Sequence, residues 1–221
     1  MHKNKNTVTR AYELEIRAEN NEQYGDFITG RPIVYNSRTD LGWFDEVIEA
    51  GALDGANLRD VRFLVNHNTN MIPLARSRRN NENSTMQLVV DEQGMTIRVN
   101  LDTQNNSEAR NLYSAIQRGD IDKMSFMFTI DGEEWENLES DHPVRHIKSI
   151  GQVFEVSAVT FPAYDDTSLE ISRDDKAALE KAKEALENAR SQQTALDSVD
   201  DLELEKLKLR NKSIFYQFGG R

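Results

Sequence analysis

Three residues carry side chains whose chemistry is out of keeping with the apolar strand patterns around them. Ser125 interrupts "KMSFMF" (123–128), on the face opposite Met124, Phe126 and Phe128. Glu155 lies in "VFEVSAV" (153–159), sharing a face with Val153, Ser157 and Val159. His67 follows the apolar run of "VRFLVNHN" (61–68), on the side of Phe63 and Val65 by the period of two. A carboxylate in so apolar a strand is costly to bury unless something pairs with it. A serine hydroxyl alone is a poor nucleophile. An imidazole can take its proton, and a carboxylate can fix the imidazole tautomer and stabilise its charged form. Serine, histidine and glutamate are therefore the ingredients of nucleophilic hydrolysis.

Each residue also has a plainer reading. Ser125 could be a small polar filler bonded to a neighbouring carbonyl, His67 a loop or satisfied core histidine, and Glu155 a solvent-facing residue on an edge strand. Sequence order alone does not establish proximity. Ser157, on the face of Glu155, is expected to support packing or orientation. A metal site could be drawn from His67, His142, His146 and nearby acids. No ligand spacing such as His-x-x-x-His is present, so neither a metal nor another cofactor is expected.

The bulk composition narrows the class. The 221 residues suffice for one domain of common size with an appendage, and the absence of cysteine excludes a disulfide framework or thiolate metal site. The N-terminal "MHKNKNTVTR" lacks a signal-peptide core, and no run approaches the ~18 apolar residues of a membrane span, so a soluble cytoplasmic protein is expected. The net charge of −11 falls mostly on residues 1–173, with 18 Lys+Arg against 28 Asp+Glu. Such a surface repels phosphate backbones, so nucleic acid is not expected as a primary partner. "ARSRRN" (75–80) reads as an exposed loop.

The elements that would hold the three residues are mostly strands. "VTRAYELEIRA" alternates as one strand, and "YGDFITGRPIVYNS" continues as a strand bent, or placed at an edge, by Pro32. "GWFDEVIEAGALDGANL" reads as a loop with short helical turns. "STMQLVVDEQGMTIRVNL" is a hairpin turning at Asp91-Glu92-Gln93-Gly94. "NSEARNLYSAIQRGD" is a helix capped by Asn106 or Ser107 and stopped by Gly119, and the strand of Ser125 follows at once. "RHIKSIGQVFEVSAVTFPAY" reads as two last strands. The expected class is α+β, mostly β, a barrel-like fold with one clear helix. After Arg173 the composition turns to Ala, Glu and Lys. Leu179, Ala182, Leu186 and Ala189 form a narrow seam suited to packing, and "DDLELEKLKLRNK" is a second short helix.

Four segments in this order, "GWFDEVIEAGAL", "VRFLVNHN" with "IPLARS", "LYSAIQRGDIDKMSFMF" and "FEVSAVTFPAYDDTSLE", resemble the tailed-phage prohead maturation protease family. The likeness covers about residues 12–171. It implies a serine endopeptidase domain over residues 1–173, with a closed β-barrel ringed by helices similar to the herpesvirus capsid-maturation proteases, and a charged helical tail over 174–221. His67 then matches the family's histidine and Ser125 its nucleophile. Glu155 falls where the herpesvirus relatives place a second histidine. Members often read Ser-x-Gly-Phe at the nucleophile, whereas Met127 stands here in place of the glycine. The resemblance implies an enzyme enclosed in an assembling procapsid in the host cytoplasm. There it would cut the scaffolding segment of the major capsid protein and then itself, and a homodimer is compatible with the herpesvirus relatives. The rival expectation is an inactive relative that serves as a scaffold and binds the capsid protein through its tail.

Overall fold

The computed structural model describes residues 7–12, 16–160, 181, 183–195, 203 and 206–208. In chain order the elements are β1 (Thr7–Tyr12), β2 (Ile16–Asn21), β3 (Gly25–Val34), β4 (Arg38–Asp40), β5 (Asp45–Ile48), β6 (Asp60–Val65), β7 (Ala75–Arg78), β8 (Met86–Asp91), β9 (Gly94–Asn100), α1 (Ser107–Arg118), β10 (Lys123–Glu136) and β11 (Val144–Val159). The described strands form two sheets. The larger runs β1-β10-β11-β5-β4, with β6 pairing another stretch of β11 and β7 pairing β6; the smaller runs β2-β3-β9-β8. Phe63, Phe126, Phe128, Val153 and Val156 of the larger sheet meet Ile28, Ile33, Met86, Met95 and Val99 of the smaller in one core, with Ala109, Leu112 and Ile116 of α1. The mostly β, α+β arrangement is thus observed.

Among the described residues the ladders join these strands into two sheets, and no closed ring is seen. Where β7 meets β8, side chains stand in for a ladder. The Arg76 amide donates to Thr85 Oγ1 (2.9 Å) and the Arg78 amide to Ser84 Oγ (2.9 Å). The Asn80 carboxamide spans both backbone groups of Leu88 at 2.7 and 2.8 Å. These bonds satisfy the backbone donors there without a continuous sheet.

Several elements differ from the sequence reading. The run from Val8 to Ala18 is not one strand: β1 pairs β10 in one sheet and β2 pairs β3 in the other. Pro32 lies in the register shift between Gly30 and Ile33, so it bends a strand that is central and not at an edge. The supposed loop at 42–58 contains β5, which lies antiparallel to β4 on one side and parallel to the distant β11 on the other. "ARSRRN" contributes β7, antiparallel to β6. The hairpin at Asp91–Gly94 and helix α1 stand where expected, with Asn106 Oδ1 accepting from the amides of Glu108 and Ala109 and Gly119 in the left-handed conformation.

Residues 183–195 are helical, and Leu186 is buried against Leu41 and Phe44. Arg190 donates to the carbonyls of Leu138 and Ser140. Leu179 and Ala182 of the expected seam, and most of "DDLELEKLKLRNK", lie outside the described residues.

Candidate active site

The register of three adjacent strands decides which side chains share a surface. On β10 and β11, Ser125 is opposite Ser157, and Met127 is opposite Glu155. On the other side of β11, Glu155 pairs with Arg62 and Ser157 with Leu64 of β6. Directly opposed residues point to the same face, with Cβ atoms about 4.5–5.5 Å apart in an antiparallel pair. Ser125, Met127, Glu155, Ser157 and Leu64 therefore line one face. The alternate residues Phe126, Val156 and Phe63 fill the core on the other.

His67 reaches that same face by leaving the strand period. Continued alternation would have sent it with Phe63 into the core. Instead Asn66 and His67 both adopt left-handed backbone, with φ of 51° and 55°, and the strand ends in a turn. Such conformations are uncommon for residues other than glycine and persist where surrounding contacts hold them. Here the Asn66 amide donates to the Ala158 carbonyl (2.9 Å), and the His67 amide donates to Ser157 Oγ (3.2 Å). The Asn66 carboxamide both accepts from the Thr160 amide (2.9 Å) and donates to Thr160 Oγ1 (3.1 Å). The turn is thereby stitched to the end of β11.

The consequence is a close pair. His67 Nδ1 lies 2.6 Å from Glu155 Oε1, with side-chain exposures of 10% and 3%. An ionised carboxylate only accepts hydrogen bonds, so Nδ1 carries a proton in this contact, and in the neutral imidazole the lone pair is then on Nε2. The other carboxylate oxygen, Oε2, accepts from Ser157 Oγ at 2.5 Å. Glu155 is buried and fully partnered, the condition under which its burial is tolerable.

Ser125 is 1% exposed, and its hydroxyl donates to the Arg10 carbonyl of β1 at 2.8 Å. Since β10 lies between β1 and β11, the hydroxyl points away from the strand that carries Glu155. In this conformation it bonds a neighbouring carbonyl, as the plainer reading of the residue anticipated. A change of the Ser125 χ1 rotamer is the movement that would turn it towards β11.

Sequence reasoning passed over what lies behind Ser125. Arg10, 1% exposed, binds Glu46 through Nε and through Nη2 (2.8 Å), and Glu46 is fully buried. Arg145, also buried, approaches Glu46 Oε2 at 3.4 Å and donates to Glu133 through Nε at 3.0 Å. The available signal was a charged residue between Val8 and Tyr12 in an alternating run.

The histidines do not converge. His142 Nε2 lies 3.0 Å from Asp45 Oδ1, and His146 bonds Glu49 and Glu136 at 2.6 and 3.2 Å. Asp40, Asp45 and His142 place ligand-type atoms within 4.8 Å of one another, but Arg38 already pairs with Asp45 at 3.4 Å and two of the three are exposed.

No match is found among curated proteins. Among solved structures, the bacteriophage T4 capsid assembly protease is similar at 11% identity and a TM-score of 0.38, over 70% of this chain and 99% of that one. The sequence model of the caudovirus prohead serine proteases matches residues 12–182, a span that includes His67, Ser125 and Glu155. By that match over most of its length, the chain belongs to the caudovirus prohead serine protease family.

Proposed function

We propose that this chain is the endopeptidase of prohead maturation, with Ser125 as nucleophile, His67 as general base and then acid, and Glu155 as the group that orients the imidazole. The observation that carries the reading is the 2.6 Å bond from His67 Nδ1 to a buried carboxylate, which leaves Nε2 to accept a proton. The Ser125 hydroxyl leaves the Arg10 carbonyl, passes its proton to Nε2 and attacks the scissile carbonyl. The imidazolium, stabilised by Glu155, protonates the leaving amine, and water then hydrolyses the acyl-enzyme by the same path in reverse. The substrates are the scaffolding segment of the major capsid protein and the chain itself, inside the assembling procapsid. The segment after Arg173 serves as the interaction or self-cleavage region.

The test is co-expression with the cognate capsid protein, wild type beside Ser125→Ala, read by intact mass. Trimming of the capsid protein with wild type alone is the expected result. A second reading, an inactive scaffold that binds the capsid protein, is favoured by the bond of Ser125 to Arg10 rather than to His67. Assembly that depends on the chain, with no trimming by either form, would establish that reading instead.

A further inference from the structure

Ser157 touches both members of the His67–Glu155 pair. Its hydroxyl is fully buried, donates to Glu155 Oε2 at 2.5 Å and accepts from the His67 amide at 3.2 Å. Its single proton is committed to the carboxylate. The carboxylate therefore cannot rotate Oε1 away from Nδ1 without giving up a bond at each oxygen. Its lone pair takes the His67 amide, which the left-handed turn has carried past the end of the β6–β11 ladder. Without that acceptor, a partly buried donor in a strained turn would lose its partner, and the turn that aims the imidazole would lose one of its ties.

We propose that Ser157 is a positioning residue for the reaction assigned above, on which this inference rests: one hydroxyl sets the rotation of the Glu155 carboxylate and the backbone angle of His67 together. It does not touch substrate. It acts through the two residues it holds, and the cross-strand position opposite Ser125 puts all three within one side-chain layer of the nucleophile.

The experiment uses the full chain and a fluorophosphonate probe followed by intact mass. In this labelling Ser125 Oγ bonds to phosphorus, fluoride leaves, and the hydroxyl proton passes to His67. Wild type should label at Ser125, and Ser125→Ala should not. Ser157→Thr and Ser157→Val have the same shape and differ in the hydroxyl. Ser157→Val and Ser157→Ala should label roughly 10–100-fold more slowly at saturating probe, with an unchanged half-saturating concentration, as befits a lost hydrogen bond to a buried charged group. Ser157→Thr should stay close to wild type. The low-field Nδ1 proton resonance of His67 should persist in wild type and Ser157→Thr and vanish in Ser157→Val.

A folded Ser157→Val that labels at the wild-type rate and keeps the resonance would overturn the assignment. Failure of all three Ser157 variants to fold would mark the residue as structural and overturn it equally. Absence of labelling in wild type, with the resonance intact, would remove the nucleophile reading and this inference with it.

Discussion

Glu46 offers the sharpest test of the packing behind Ser125. Its carboxylate is fully buried between the guanidinium groups of Arg10 and Arg145, each 1% exposed. In Glu46→Leu, Arg145 keeps Glu133, but Arg10 gives up both of its bonds to Glu46 while remaining buried. Removing one partner of a buried pair costs about 3–5 kcal/mol, because the other charge stays desolvated. For a chain of this size each kcal/mol moves the melting temperature by about 2–4 °C, so a fall on the order of 6–20 °C is expected. Arg10→Met strands Glu46 less severely, because Arg145 still faces it. The double variant, with both charges replaced by apolar side chains, should recover most of the loss. A urea-unfolding double-mutant cycle reads this directly, with an expected coupling of at least about 2 kcal/mol. Additive single costs, or a Glu46→Leu cost below about 1 kcal/mol, would refute the claim that a desolvated ion pair anchors β1 beside Ser125.

Three further outcomes follow from other parts of the molecule. Arg31 holds Asp91 through two hydrogen bonds and, with the Gln93 amide, lowers its carboxyl to about 2. Because the folded value is depressed, its contribution to stability is present above about pH 4 and is lost as pH falls through about 2; carbon-detected NMR titration of Asp91 with a midpoint near 4 would contradict this. Gly94 has φ of 134°, and a Cβ there would lie 2.0 Å from the Ile33 carbonyl oxygen, so Gly94→Ala should lose about 2–3 kcal/mol or more in denaturant unfolding. On storage, wild type should shorten within residues 174–221 and Ser125→Ala should not, as read by intact mass; equal shortening would point to other proteases.

What the sequence made legible was local. The Asp91–Gly94 hairpin and helix α1 depend on a glycine at positive φ and on a side-chain cap, signals contained within a few residues. What escaped was non-local or terminal. β5 is held between β4 and the distant β11, and no pattern in its four residues announces the second pairing. The two last strands expected in "RHIKSIGQVFEVSAVTFPAY" are one, β11, which runs through Gly151: a Cβ there would meet the Asp131 carboxylate at 2.3 Å, so the glycine admits a close approach. His67 was assigned its face by a period that had already ended one residue earlier, at Asn66. The residues of the candidate site were thus legible by type, while their common face required the register of β6, β10 and β11.

The same contacts indicate which member of the site moves. To bring His67 towards Ser125 by shifting the histidine would mean disturbing a turn in which Asn66 and His67 make four hydrogen bonds to Ser157, Ala158 and Thr160, and losing the Glu155 contact as well. The Ser125 hydroxyl, by contrast, has one bond to give up, to the Arg10 carbonyl, and in the proposed reaction exchanges it for one to His67 Nε2. Net hydrogen-bond contributions are about 0.5–1.5 kcal/mol each, so that exchange is close to balanced, whereas the histidine's movement would forfeit several at once. Rotation between staggered wells needs no backbone change. The strained turn therefore fixes His67, and Ser125, the proposed nucleophile, is the side chain that reorients in the proposed reaction.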